Sequence, residues 1–210
     1  MLKLEAARAK VLEIARKAAQ TRLVPLTMGN FSVRDPETGL MAITPTGRPY
    51  ENMSPADICL VAPDGTQVDG PHKFSFETPI HLYVYRMRPQ VNGIVHIHSP
   101  YANAFSLVGK PIPIALVTQL VYVRQVVPIA PYSQSGNEDF AKKAMDAMGD
   151  GNVVVLANHG ILAVGRDIDE AFALGVYTEE GAEVYFHALQ LDANPFTLEG
   201  YLQKDKPAGP

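Results

Sequence analysis

The chain has a single cysteine, Cys59, among its 210 residues. That count excludes an internal disulfide and argues against a closed structural zinc site, since such sites are usually cysteine-rich. Cys59 lies in the apolar run Ile58-Cys59-Leu60-Val61 and reads as a buried core thiol, compatible with a reducing cytoplasm. No apolar run approaches the length of a membrane span. The stretch Met1 to Lys10 mixes charges of both signs, so the unbroken apolar segment of a secretory signal is not expected there. A net charge of −4, without a Lys/Arg cluster, gives no electrostatic case for nucleic acid. Internal repeats and low-complexity segments are absent. What remains, 47% hydrophobic and 19% charged, is the composition of a globular chain with a substantial core. The expectation is one cytoplasmic domain over residues 1–195 and a C-terminal tail over 196–210, in which Lys204 to Pro210 reads as frayed.

Periodicity predicts the elements. Apolar residues at Leu4, Ala7, Val11, Leu12, Ile14, Ala15 and Ala18 give an amphipathic helix over 3–20. Phe31 to Arg34 and Leu40 to Thr44 flank the turn-rich Asp35-Pro36-Glu37-Thr38-Gly39 and read as a hairpin. Ser54-Pro55-Ala56-Asp57 has a capping-box pattern, followed by strands over 58–62 and 66–69. Helices are expected from Glu77 to Arg88, over 101–108, from Asn137 or Glu138 to Met148, and from about Asp167 to Leu191. Further strands are expected over 93–98, 153–157 and 161–164. The segment 111–132 is apolar but broken by four prolines, and only a strand near 125–129 is assigned within it. Early hairpins followed by helix–strand alternation predict an α/β fold. The form expected is a three-layer α/β/α single domain around a central mixed, largely antiparallel sheet.

The most informative residues are histidines. His96 and His98 stand at i and i+2, which share a face only on an extended strand. His159 closes a second apolar run, Val153 to Ala157, and strand ends of one sheet can bring three imidazoles together. A lone His-x-His also occurs among surface or hydrogen-bonded core histidines, and in unrelated metal barrels and hydrolases. No Asp-His follows His98, and no glutamate completes a cupin-like set. Three histidines with Glu77 suit a catalytic zinc, which can polarise a carbonyl oxygen and needs a base beside it. Glu77 is the candidate base. Its plainer reading is a carboxylate favoured by the helix dipole, and beside three histidines the catalytic reading leads.

Gly29, Asn30, Thr46, Gly47 and Ser75 fall in turns whose N–H groups and hydroxyls could cradle an anion, although each alone is ordinary turn chemistry. His72 is read as a loop residue, His187 as outward-facing on a late helix, and His81 as packing or orienting Glu77.

Five segments, in order and at matching spacings, carry a resemblance: Met28-Gly29-Asn30-Phe31-Ser32-Val33-Arg34, Ile43-Thr44-Pro45-Thr46-Gly47, Ser75-Phe76-Glu77, His96-Ile97-His98 and His159-Gly160. From about residue 5 to residue 190 the chain resembles the class II aldolase/adducin family, which includes sugar-phosphate aldolases and 4-epimerases. The resemblance implies a homotetramer with active sites at subunit interfaces and a small-molecule substrate. It implies zinc, with Mn2+ or Co2+ as alternatives, on His96, His98 and His159. Glu77 would act as general base and as a fourth metal ligand, and Gly29, Asn30, Thr46, Gly47 and Ser75 would hold a phosphate. The implied reaction is reversible retro-aldol cleavage of a hydroxy-ketone, a sugar or sugar phosphate, through a metal-stabilised enediolate. The alternatives are a decarboxylase, a 4-epimerase or a non-catalytic adducin-like module. The four intact site residues speak against the last. The chain departs from the family twice. Phe76 stands where a second serine is common, and Val117 aligns with a proton-donating tyrosine, Tyr122 being the nearest tyrosine.

Overall fold

The computed structural model describes residues 3–21 and 23–202. Their strands form an eight-stranded sheet in the order β4-β3-β2-β1-β5-β8-β7-β6. These are β1 (Asn30–Arg34), β2 (Met41–Ile43), β3 (Cys59–Val61), β4 (Gln67–Asp69), β5 (Gly93–Ile97), β6 (Ile129–Ala130), β7 (Val153–Leu156) and β8 (Gly160–Gly165). Every neighbouring pair is antiparallel except β6–β7. Five α-helices cover it: α1 (Glu5–Gln20), α2 (Thr78–Met87), α3 (Pro100–Leu107), α4 (Glu138–Met148) and α5 (Ile168–Leu191).

Two cores follow from the strand alternation. Phe31, Ala42, Leu60, Val95, Ile97, Val153, Val155, Ile161 and Ala163 pack under α1, α3 and α5. Their neighbours Met41, Ile43, Cys59, Val61, Ile94, Val154, Leu156, Leu162 and Val164 pack under α2 and α4. Both faces of the sheet are thus covered, which explains why its strands read as nearly continuous apolar runs. The mixed, largely antiparallel α/β/α sandwich expected from the sequence is the fold observed.

Local chemistry sets the ends. Asn137 and Asp167 accept from the backbone N–H groups of Phe140 and Glu170, capping α4 and α5. Ser54 and Asp57 form the expected capping box around a short 3-10 turn, Pro55–Asp57. Cys59 is buried, as expected.

The Pro-broken segment is where the sequence reading needs correction. The strand expected near 125–129 is only Ile129–Ala130, preceded by one isolated bridge from Val127 to Ile112. A π-helical turn occupies Gln119–Val123. Gln119 is buried, accepts from the N–H groups of Ala115 and Leu116, and donates to Pro113 O. A side chain here does the work of a ladder.

Leu198 and Glu199, in the stretch read as a tail, bond back to Ile114. Lys204 to Pro210 lie outside the described residues. Among the described residues, no helix is long and apolar enough to cross a membrane.

Candidate metal centre and active site

β5 pairs with β1 on one side and β8 on the other, and the site grows at that junction. His96 is in β5, opposite Asn30 of β1 and Leu162 of β8. Its side chain takes the α2/α4 face, and His98 follows two residues later on the same face. His159 sits in the tight connection between β7 and β8. Gly160 makes that approach possible, because a Cβ there would lie 2.2 Å from Ile97 O. Helix α3 pins the connection: Ser106 Oγ accepts from Asn158 N at 2.9 Å, and Asn103 Nδ2 donates to His159 O at 3.1 Å. Asn158 itself adopts φ 59°, an uncommon left-handed conformation that asparagine tolerates.

Three imidazole nitrogens converge. His96 Nε2 lies 3.1 Å from His98 Nε2 and 3.3 Å from His159 Nε2. All three ligand nitrogens lie within 4.8 Å of one another. Two ligands about 2.0–2.1 Å from a tetrahedral ion stand about 3.3 Å apart, so this spacing fits one divalent cation. His96 Nδ1 donates to Ile161 O at 2.9 Å, which fixes the tautomer and turns the Nε2 lone pair inward. Burial is the main cause that pushes both His96 and His98 down to about 3, with the adjacent imidazoles adding to it. Both are therefore neutral near pH 7, the state a metal requires.

Glu77 completes the group. It occupies the N-cap position of α2, yet its side chain makes no capping bond. Its Oε2 lies 3.3 Å from His96 Nε2 and its Oε1 3.4 Å from His159 Nε2. Asn30 Nδ2 donates to Oε2 at 2.8 Å, while Oε1 is buried with no hydrogen-bond partner. An orphaned carboxylate oxygen in a dry site is costly unless something positive faces it. A cation among the three nitrogens satisfies it, so the residues present fit a metal.

The centre opens into a cavity of about 170 Å³. Gly29, Asn30, Thr46, Gly47, Ser75, Glu77, His98 and His159 all border it, so the sequence-predicted residues meet in one place. Gly29 has φ 96°, and a Cβ there would strike His96 O at 2.8 Å. Ser75 Oγ accepts from Glu77 N at 3.2 Å, which leaves its own hydroxyl proton to offer. Thr46 N is spent on Lys73 O, so Thr46 has its hydroxyl to contribute. Asn30 proves to be engaged with Glu77 and His81 as well as bordering the cavity. Phe76 forms part of the rim, packed on Gly136, and is largely exposed.

His72 pairs with Asp57 at 2.8 Å, and His187 is exposed beside Tyr101. Val117 is exposed, Tyr122 stacks on Tyr177, and neither borders the cavity. His81 reaches Glu77 only through Asn30. Ser32, Asn103 and Ser106 were missed. Ser32 had a legible signal: in the alternation Asn30-Phe31-Ser32-Val33-Arg34 it lies two residues from Asn30, on the same face of β1.

The profile of the Class II Aldolase and Adducin N-terminal domain matches residues 9–186. The chain belongs to this family. It is 34% identical to the 5-deoxy-D-ribulose 1-phosphate aldolase of Bacillus thuringiensis serovar kurstaki, over 87% of this chain and 85% of that one. With the 5-methylthioribulose-1-phosphate/5-deoxyribulose-1-phosphate aldolase of Rhodospirillum rubrum it shares 33% identity, over 95% and 90%. A solved L-fuculose 1-phosphate aldolase superposes with a TM-score of 0.89 at 30% identity, covering 96% of this chain and 94% of the other. As a class II aldolase family member, the chain carries the three-histidine group at the junction its fold provides.

Proposed function

We propose that the protein is a metal-dependent aldolase-type lyase that reversibly breaks the C3–C4 bond of a ketose 1-phosphate or a similar hydroxy-ketone. The observation that carries the proposal is the convergence of three imidazole nitrogens and a carboxylate oxygen without a hydrogen-bond partner at the floor of a hydroxyl-lined cavity. His96, His98 and His159 would hold the ion, zinc by the nitrogen-only donor set, with Mn2+ or Co2+ as alternatives. Bound there, the ion supplies Lewis-acid charge to the substrate's adjacent hydroxyl and keto oxygens, which lowers the cost of the negative charge that builds as the bond breaks.

The remaining work belongs to the chain. In the condensing direction Glu77 Oε1 takes a proton from the hydroxyl-bearing carbon of the donor ketone, and in cleavage it returns that proton to the same carbon. Asn30 holds Oε2, so Oε1 is the oxygen that would turn from the ion's site to an arriving substrate. The hydroxyls of Thr46 and Ser75, with backbone N–H groups near Gly29 and Gly47, would receive the phosphate. The names of the relatives, all sugar-phosphate aldolases, support that substrate class. Val117, Val121 and Tyr122 leave apolar surface exposed on the Pro-broken segment, which supports a homo-oligomer, a tetramer in this reading, with active sites between subunits. The buried, unpaired thiol of Cys59 supports a cytoplasmic setting.

The test is product analysis. Purified protein incubated with 5-deoxy-D-ribulose 1-phosphate or L-fuculose 1-phosphate should release an aldehyde and dihydroxyacetone phosphate. Release of CO2 from hydroxy-acids, or an epimer without cleavage, would replace this reading. Sedimentation of an active monomer at micromolar concentration would refute the oligomer.

A further inference from the structure

Glu77 is the end of a buried hydrogen-bonded chain. Beyond Asn30, the Oδ1 atom lies 2.5 Å from His81 Nε2, His81 Nδ1 lies 2.7 Å from Ser32 Oγ, and Ser32 Oγ lies 2.8 Å from Tyr85 Oη. All of these residues are buried. Ser32, His81 and Tyr85 do not border the cavity, so they have no direct use for a substrate. The fold places them by two periodicities. Asn30 and Ser32 share one face of β1, while Glu77, His81 and Tyr85 recur every four residues along α2.

The polarity of this chain has a consequence. A carboxamide is nearly symmetric in shape, so packing alone does not decide which end of Asn30 faces Glu77. A neutral imidazole donates from one nitrogen and accepts at the other. With the proton on His81 Nε2, Asn30 must turn Oδ1 toward it and offer Nδ2 to the carboxylate. With the proton on Nδ1, Asn30 would have to turn Nδ2 toward His81 and set Oδ1 against Glu77 Oε2, two acceptors face to face. The Ser32 hydroxyl selects the first arrangement by donating to Nδ1. Tyr85 enforces that choice by donating into Ser32 Oγ; its other acceptor, Asn92 O, is at 3.5 Å, too far for a good bond.

We infer that Ser32, His81 and Tyr85 form a tautomer lock, positioning residues that set the orientation of the Asn30 amide and through it the aim of Glu77. The inference rests on the role proposed above for Glu77 as the base, but its structural half stands apart from that role.

Two readouts test it. The first is the 15N spectrum of the His81 ring, which distinguishes protonated from bare nitrogens. The wild type should show the Nε2–H tautomer, and Ser32→Ala should give a mixture. A wild type in the Nδ1–H form, or a spectrum unmoved by Ser32→Ala, overturns the lock. The second is kinetic, with 5-deoxy-D-ribulose 1-phosphate cleavage and solvent-deuterium exchange into dihydroxyacetone phosphate as probes. His81→Leu, which removes the donor to Asn30, should lower kcat about 10–100-fold, the usual cost of losing an outer partner of a metal site. KM and metal content should move by less than about threefold. His81→Gln keeps an N–H near the position of Nε2 and should recover most of the rate. Equal losses in the two variants, or none in either, overturn the positioning role. Should the wild type neither cleave nor exchange, the proposed reaction fails, while the 15N spectra still decide the lock.

Discussion

The junction of β1, β5 and β8 and the segment from Pro111 to Tyr132 are both rich in apolar residues, yet they are ordered by opposite means. At the junction the backbone is in a continuous ladder, so each side chain's direction follows from its place in the strand. His96, Asn30 and Ser32 face α2 because their neighbours Val95, Ile97 and Phe31 face the other core. In the Pro111–Tyr132 segment four prolines remove donors, and side chains take over much of the ordering, Gln119 foremost and Gln125 through its bonds to Asn152 N and Val153 O. Gln119 ties Pro113, Ala115 and Leu116 together, and its amide lies where a Cβ on Gly181 of α5 would otherwise be. A ladder makes chemistry legible from spacing, whereas a side-chain clasp leaves no period to read.

The largest effect expected of a single mild substitution lies at the junction. Glu77→Gln keeps size and the bond to Asn30 but removes the base, so turnover should fall about two to four orders of magnitude. Metal content should change much less, since three histidines remain. Near-normal turnover would leave the junction a metal site without this base.

At the cavity's rim, Phe76→Ser should restore a hydroxyl where this chain has a ring. One charge-assisted hydrogen bond contributes about 1.5–3 kcal/mol, about one to two decades in affinity. The ratio of kcat/KM for phosphorylated over unphosphorylated ketoses should rise by that order. A wild type that already favours the phosphorylated form a thousandfold (about 4 kcal/mol), or a ratio unmoved in Phe76→Ser, would show that the rim does not set substrate choice.

The clasp should fail differently. Gln119→Ala leaves two N–H groups and a carbonyl without their partner, and lost buried bonds of this kind cost about 1–3 kcal/mol each. Denaturant midpoints should drop while metal content holds. Loss of metal in this variant would mean that the two regions are not independent.

A pH series also separates the regions. Burial pushes His81, His96 and His98 down to about 3, from the ordinary imidazole value of 6.5. Each stays neutral when folded and takes a proton when unfolded below that value. Their contribution is full above about pH 6.5 and is lost as pH falls toward 3. Denaturant titrations of metal-stripped protein should therefore show stability falling through this window. A flat profile between pH 6.5 and pH 4 would contradict the burial of these rings.

Sequence alone made the fold class, the helices and the three converging histidines legible, because period 2 and the i, i+2 histidines act through regular backbone. The same logic would have exposed Ser32, polar on a face it shares with Asn30. It could not expose Asn103 and Ser106, whose bonds to the His159 connection depend on where α3 is docked. Nor could it place Gln119, whose partners are turn N–H groups within four residues.

The central claim is that one divalent ion sits among His96, His98 and His159, and metal analysis tests it most directly. Wild-type protein should purify with about one divalent ion per chain, the count a single mononuclear site requires. The His96→Ala/His98→Ala double variant should be folded by circular dichroism yet hold none. Stoichiometric metal persisting in that variant would contradict the account.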